Sequence, residues 1–392
     1  MSKTEWKYIT LDKMGTISRG KSKHRPRNDA VLFGGVYPFI QTSDVKWSVL
    51  HIFDYSETYN EIGLQQSKLW PKGTLCITIA ANIADTGILG IDACFPDSIM
   101  GFIADDKISD VRFVKYCFDV LQKQCQSIAI GTTQDNLSWE KLSKILFPCP
   151  PLNVQKQIAD ILSSLDDKIE LNNAINRNLE GQAQILFKNF EENKPFNLMK
   201  IADVAEINPD SFGLKDDWSF VNYLDTSSIT QNVISELQYI NLNEEKLPSR
   251  AKRKVLENDV VYSTVRPNQL HFGFINEVKP NMLVSTGFAV IRSKNPLVSN
   301  EYIYLNLTKR DTIEKLQQIA EQSVSTFPAI KPSDIGDCLI NVFEKKDAEI
   351  LNNQLSAVFK KISQNNQENQ RLTLIRDTLL PKLMSGEMGA MV

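Results

Sequence analysis

The chain has 392 residues, of which 42% are hydrophobic and 23% charged, and a formal net charge of −3. That length holds two or three domains, the composition is that of a globular protein, and the charge balance gives no global sign of a nucleic-acid binder. No apolar run reaches the ~18 residues of a membrane span, the N-terminal stretch lacks a signal-peptide core, and the six cysteines show no C-x-x-C spacing, so a cytoplasmic chain with reduced thiols is expected.

In chain order, residues 11–17 read as a short amphipathic helix running into a strand. A basic loop follows, carrying Arg19, Lys21, Lys23, Arg25 and Arg27. Residues 72–78 read as a turn and a half-buried strand, Gly101-Phe102 as part of another strand, and residues 111–126 as a helix. The polar turn Gly131-Thr132-Thr133-Gln134-Asp135-Asn136-Leu137 leads to a last strand and a proline stop, Pro148-Cys149-Pro150-Pro151.

A long helix is then expected over about 154–190. Its apolar seam runs Ile158, Leu162, Leu165, Ile169, is interrupted by Asn172 and Asn176, and resumes with Leu179, Ala183 and Leu186. This alternation of four and three is the heptad pattern of a helix that packs along another helix.

The second half repeats the first. Residues 201–207 echo 11–17, residues 258–264 echo 72–78, and Gly287-Phe288 echoes Gly101-Phe102. A second basic cluster, Arg250, Lys252, Arg253 and Lys254, precedes the strand ending at Ser263, and a helix is expected over about 301–322. The seam returns 193 residues on as Leu351, Leu355, Val358, Ile362, Asn365, Asn369, Leu372, Arg376 and Leu379. Because the asparagines sit mid-seam in both copies, antiparallel pairing brings Asn172 and Asn176 opposite Asn369 and Asn365, a polar layer that fixes register. The expected fold is α+β, with two pseudo-symmetric globules joined by two long helices forming an antiparallel coiled coil. About 34 residues of helix would separate the globules by roughly 50 Å, one to one and a half turns of duplex DNA. Ile175, Ile185 and Phe187 lie off the seam and are candidates for an exposed docking stripe.

Catalytic chemistry is sparse. The three histidines, His24, His51 and His271, have no metal-ligand spacing with another His or Cys, and no phosphate-cradling glycine loop is present. Pro96-Asp97 with Asp105-Asp106-Lys107 fits a degenerate nuclease pattern, but the second half has nothing equivalent, so turn carboxylates are the plainer reading. Binding chemistry is richer. Thr264, Arg266, Asn268, Gln269 and His271 follow the basic cluster of the second half. Thr78 and Asn82 occupy the matching place in the first half, with Gln134 and Asn136 in its later loop. Arg, Asn and Gln reach base edges bidentately, whereas Lys, Ser and Thr suit phosphates.

Taken together, the Gly131–Leu137 string, Phe147-Pro148-Cys149-Pro150-Pro151-Leu152, the run Gln155-Lys156-Gln157-Ile158-Ala159-Asp160-Ile161-Leu162 and the tail Leu379-Leu380-Pro381-Lys382-Leu383-Met384-Ser385-Gly386 resemble the specificity subunits of type I restriction–modification systems. The resemblance covers essentially the whole chain. It implies target-recognition domains over 1–153 and 193–345, a central spacer helix over 154–192, and a C-terminal spacer helix and tail over 346–392. It further implies a non-catalytic chain that reads a bipartite, asymmetric site in double-stranded DNA. Two modification subunits would methylate adenine with S-adenosylmethionine, and restriction/translocase subunits would use ATP and Mg. No cofactor or metal is then expected on this chain itself. One departure is visible: the second half replaces the Gly-Thr-Thr-Gln loop by Ser325-Thr326-Phe327-Pro328. An enzyme with an unrecognised nuclease or methyltransferase site, and a scaffold that does not touch DNA, are the alternatives.

Overall fold

The computed structural model describes residues 6–80, 82–129, 137–213, 215–234, 237–322 and 328–387. The chain divides into two compact units, residues 1–174 with 367–392 and residues 175–366. Each unit therefore contains one globule and part of each long helix.

In the first unit the sheet is built around Leu75–Thr78, a strand buried at every position. Thr86–Leu89 and Ile99–Ala104 flank it antiparallel, Gly15–Arg19 lies outside Ile99–Ala104, and His51–Ile52 closes the other edge in parallel with Thr86–Leu89. The helix Val111–Ala129 contributes Phe113, Val114, Tyr116, Cys117 and Phe118 to the core. Gly101 has a packing reason: a Cβ there would meet the Trp70 ring at 2.6 Å, and Trp70 lies stacked on Phe95 with ring centroids 4.8 Å apart. A second sheet orders Glu57–Tyr59, Phe33–Phe39, Ala93–Cys94 and Leu69–Trp70.

The second unit repeats the order of the main sheet. Ala205–Ile207, Phe288–Ser293, Val260–Ser263 and Phe272–Phe274 are neighbours in that sequence, all antiparallel. Two local expectations change. Gly287 stands just before its strand, whereas Gly101 is inside one, so this pair is out of structural register. The helix expected over 301–322 is two helices, Asn300–Leu307 and Arg310–Glu321. The Thr308 hydroxyl bonds back to the Tyr304 carbonyl (2.8 Å), the Lys309 backbone leaves the helical region, and the Lys309 ammonium is held by Glu191 at 2.6 Å.

The long helices are Leu152–Asn193 and Lys345–Met384. The proline stop sets the first of them: the amides of Val154 and Gln155 donate to the Pro151 carbonyl at 2.9 and 3.1 Å. They pack antiparallel. In the first unit Ile158 and Leu162 share a core with Leu379, Leu383 and Met384; in the second, Ala183 and Phe187 share one with Leu351, Leu355 and Phe359. Phe187 thus leaves the docking stripe suggested by its off-seam position: it is fully buried and edge-on to Tyr302, while Ile185 is 63% exposed.

The polar layer is hydrogen-bonded across the helix pair. Asn172 donates to Asn369 (2.9 Å) and Glu368 (2.9 Å), and Asn369 donates to Asn173 (2.8 Å). Asn365 donates to Asn176 (2.8 Å), and Asn176 donates to Asn366 (2.8 Å). The 193-residue repeat maps the asparagine bonds of one unit onto those of the other. Mutual satisfaction of this kind lets amides sit in an apolar seam. Beside the layer the repeat is broken: the fully buried Asp166 accepts from Arg376 (2.8 Å) and from the Tyr116 hydroxyl (2.6 Å), where the second unit has the apolar Phe359 and Ala183. No helix among the described residues is long and apolar enough to cross a membrane.

Candidate nucleic-acid interface

In the second unit the chain leaves Val260–Ser263 and turns sharply. The amide and hydroxyl of Thr264 both donate to the Gly287 carbonyl, at 2.8 and 2.9 Å. The amide of Ile330 donates to the Thr264 carbonyl (2.8 Å), and that of Arg266 to the Pro328 carbonyl (2.9 Å). Residues 264–266 are thereby fastened to 328–330. The 3-10 turn Pro267–Gln269 follows, bracketed by Arg266 (φ 46°) and Leu270 (φ 58°). Left-handed backbone costs a non-glycine residue about 1–2 kcal/mol and persists where surrounding bonds impose it. Here the Gln269 amide reaches the Arg266 carbonyl (2.9 Å), and Gln317 accepts from the Asn268 amide (3.2 Å). The turn presents Asn268 and Gln269 to solvent beside a half-buried Arg266.

Two neighbours serve the scaffold rather than a ligand. His271 has Nδ1 2.7 Å from the Ile229 carbonyl and 3.1 Å from the Thr230 hydroxyl, so the ring is anchored inward, and Thr264 is buried with its hydroxyl engaged. The second basic cluster is also not a loop. Ala251–Lys254 is a strand, with Arg250 and Lys252 exposed and Arg253 half-buried. Lys254 is taken by Asp216 at 2.6 Å, which holds the Asp216 carboxyl below its ordinary range and raises Lys254. It is an internal ion pair, not a free cation.

The first unit offers different groups at the same place. Thr78 is fully buried, and its hydroxyl donates to the Asn82 carbonyl and, at 3.2 Å, to that of Asp85. Thr78 therefore closes a turn and cannot face a ligand, while the half-buried Asn82 shapes that turn through its carbonyl. Gln134 and Asn136 lie outside the described residues. The Leu137 amide beyond them donates to the Ile79 carbonyl (3.0 Å), which ties Leu137 to the strand end as Ile330 is tied in the second unit. In the first basic cluster, Arg19 donates to the Asp97 carbonyl, and the Asp97 carboxylate receives Arg27 (2.7 Å) and Arg25 (3.9 Å). Lys21 and Lys23 are exposed, with no carboxylate partner among the described residues. Asp97 and Asp105 stand beyond opposite ends of Ile99–Ala104, a strand of roughly 20 Å, so the nuclease-like string does not converge on one metal.

Sequence reading passed over Asn173 and Asn366, although each directly follows a seam asparagine. It also passed over Gln317, whose contact with Asn268 spans two elements far apart in sequence.

Fold and surface together define a tandem-repeat α+β protein that holds two related but chemically unlike polar turns on one helical pair. The family model described as "Type I restriction modification DNA specificity domain" matches residues 3–181. The chain is 22% identical, over 98% of its length and 94% of the other's, to the "Type I restriction enzyme MjaIX specificity subunit" of Methanocaldococcus jannaschii. It is 28% identical to the "Type I restriction enzyme HindI specificity subunit" of Haemophilus influenzae, a match spanning 41% of this chain and only about a third, 34%, of that protein. The crystal structure of a type I restriction–modification S subunit from M. genitalium shares the fold, with a TM-score of 0.53 at 16% identity over 98% of this chain and 97% of that one. Over residues 3–181 the chain matches this family's model, and along nearly its whole length it is similar to a specificity subunit of a type I restriction–modification system.

Proposed function

We propose that this chain reads a split, asymmetric site in double-stranded DNA, one half-site per globule, and itself catalyses nothing. The observation that carries this reading is the unlikeness of the two strand-end turns: Arg266, Asn268 and Gln269 in one unit, the internally bonded Thr78–Asp85 turn in the other. Equivalent scaffolds that present different surfaces at the strand end suit two different short sequences, not an inverted repeat. Lys21, Lys23, Arg250 and Lys252 are the cations placed to hold phosphates, which fix position without reading sequence. The residues 1–153 and 193–345 act as target-recognition domains, and the paired helices over 154–192 and 346–392 act as spacer and as docking surface for two modification subunits. Those partners supply adenine methylation with S-adenosylmethionine, and restriction/translocase subunits supply ATP- and Mg-dependent cleavage. The apolar residues exposed on the helices, Leu171, Ile185, Leu374 and Ile375, support the docking role.

The test is binding by the purified chain. Duplex DNA should be bound with log K falling linearly in log[salt], and S-adenosylmethionine should not be bound. Salt-independent or absent DNA binding would favour a scaffold, and S-adenosylmethionine binding by the chain alone would favour an enzyme.

A further inference from the structure

One side-chain cluster in the first unit takes no part in the polar turns. His51, on the edge strand His51–Ile52, faces Asp167 and Glu170 of the central helix. The two carboxylates are three residues apart, which puts them on one helix face. His51 Nδ1 lies 3.0 Å from a Glu170 oxygen and 3.9 Å from an Asp167 oxygen, and the three potential ligand atoms lie within 4.8 Å of one another. An ion with bonds of about 2.0–2.1 Å to nitrogen and oxygen separates its ligands by roughly 3.0–3.4 Å. The observed spacings bracket that range, and Asp167 has 58% of its side chain exposed.

Glu170 is already oriented for such a role. Its Oε1 accepts the backbone amides of Leu50 (2.9 Å) and His51 (2.6 Å), which leaves Oε2 toward the imidazole. Backbone donors on the non-ligating oxygen are the outer-sphere support that metal carboxylates commonly have. A plain His–Glu latch accounts for Glu170; Asp167 adds a second carboxylate on the same helix face, 3.9 Å from the same imidazole. Helix pairing does not require acids here either, because the repeat has Lys360 and Ser363 at the matching positions.

We propose that His51, Asp167 and Glu170 bind one divalent transition ion of zinc's class, which staples the sheet edge of the first unit to the central helix. An imidazole nitrogen with two carboxylates suits Zn2+ or Co2+ over the hard ions Mg2+ and Ca2+, which take oxygen ligands. Three protein ligands leave a position for water. This inference is independent of DNA reading, and it departs from the expectation that the chain holds no metal. Spacing alone could not find the site, because His51 stands more than a hundred residues before its partners.

The experiment uses the full-length chain, stripped by chelator dialysis and titrated with Co2+ and then with Zn2+. The expected result is one equivalent per chain, visible d–d absorption without a thiolate charge-transfer band, and displacement by Zn2+ but not by millimolar Mg2+. Asp167→Asn removes an exposed ligand with no core contact and should weaken Zn2+ binding at least tenfold, with Glu170→Gln doing the same. Thermal unfolding of metal-free Asp167→Asn should match that of the metal-free parent, which separates lost binding from lost folding. Absence of one-equivalent binding, a thiolate band that moves the ion to the cysteines, or unchanged affinity in folded Asp167→Asn would overturn the proposal.

Discussion

Replacing Arg376 by alanine leaves the Asp166 carboxylate fully buried with only the Tyr116 hydroxyl to answer it. A buried ion pair broken on one side costs about 3–5 kcal/mol, because the surviving charge keeps its desolvation penalty. Arg376 retains 20% side-chain exposure, which admits some water and places the expected loss near the lower end, about 3 kcal/mol. In a unit of about 200 residues each kcal/mol moves the melting temperature by roughly 2–4 °C, so a fall of about 6–12 °C is expected in the first unit's transition. Calorimetry of the full chain reads it, with hydrogen exchange along residues 367–384 as a local check. The double variant Asp166→Leu/Arg376→Leu should recover most of the loss, since the repeat fills the matching positions with Phe359 and Ala183. A loss below about 1 kcal/mol for Arg376→Ala, or a double variant no better than the single, would refute the account of a buried, mutually dependent pair.

Four further outcomes follow from the same reasoning. Asn365→Leu strands the buried Asn176 carbonyl oxygen and should cost roughly 1–3 kcal/mol by denaturant unfolding; adding Asn176→Leu should recover stability while loosening the helix register. Arg266→Ala should relax specificity in one half-site at a cost of roughly 1–3 kcal/mol, whereas an equal loss on all sequences would mark a phosphate contact instead. Lys21→Ala and Lys23→Ala should each flatten the slope of log K against log[salt] by about one without changing sequence preference. One heptad inserted in register into both long helices adds about 10 Å of helix, so the gap between half-sites should grow by about 3 base pairs; an unchanged gap sinks the spacer role.

The helical pair was the most legible part of the chain. Its period, its asparagine interruption and its return after 193 residues are local patterns, and a heptad with a polar layer admits few packings. The repeat marked the two globules as equivalent but not their strand order; that order, shared by the two main sheets, comes from the pairing of the strands in space. What was not legible depended on contacts distant in sequence. Thr78 looks like a strand-end polar group until the 78–85 turn buries its hydroxyl, and Lys254 looks like a free cation until Asp216 arrives from 38 residues away. Lys252, Arg253 and Lys254 have no apolar alternation, so nothing in them signals a strand; pairing with Met282–Ser285 makes one. The break at Thr308 and Lys309 is invisible to helical periodicity because both flanking segments are good helices, and the anchor on Lys309 is Glu191 of a different element.

The central claim is that two unlike globules on one chain specify one divided DNA site. Its most direct test is co-expression with modification subunits, followed by single-molecule mapping of methyladenine in the host DNA with and without this chain. The account predicts a bipartite motif of two different short elements at a fixed gap, methylated only when the chain is present. Methylation that is independent of the chain, or a motif that is undivided or palindromic, would contradict it.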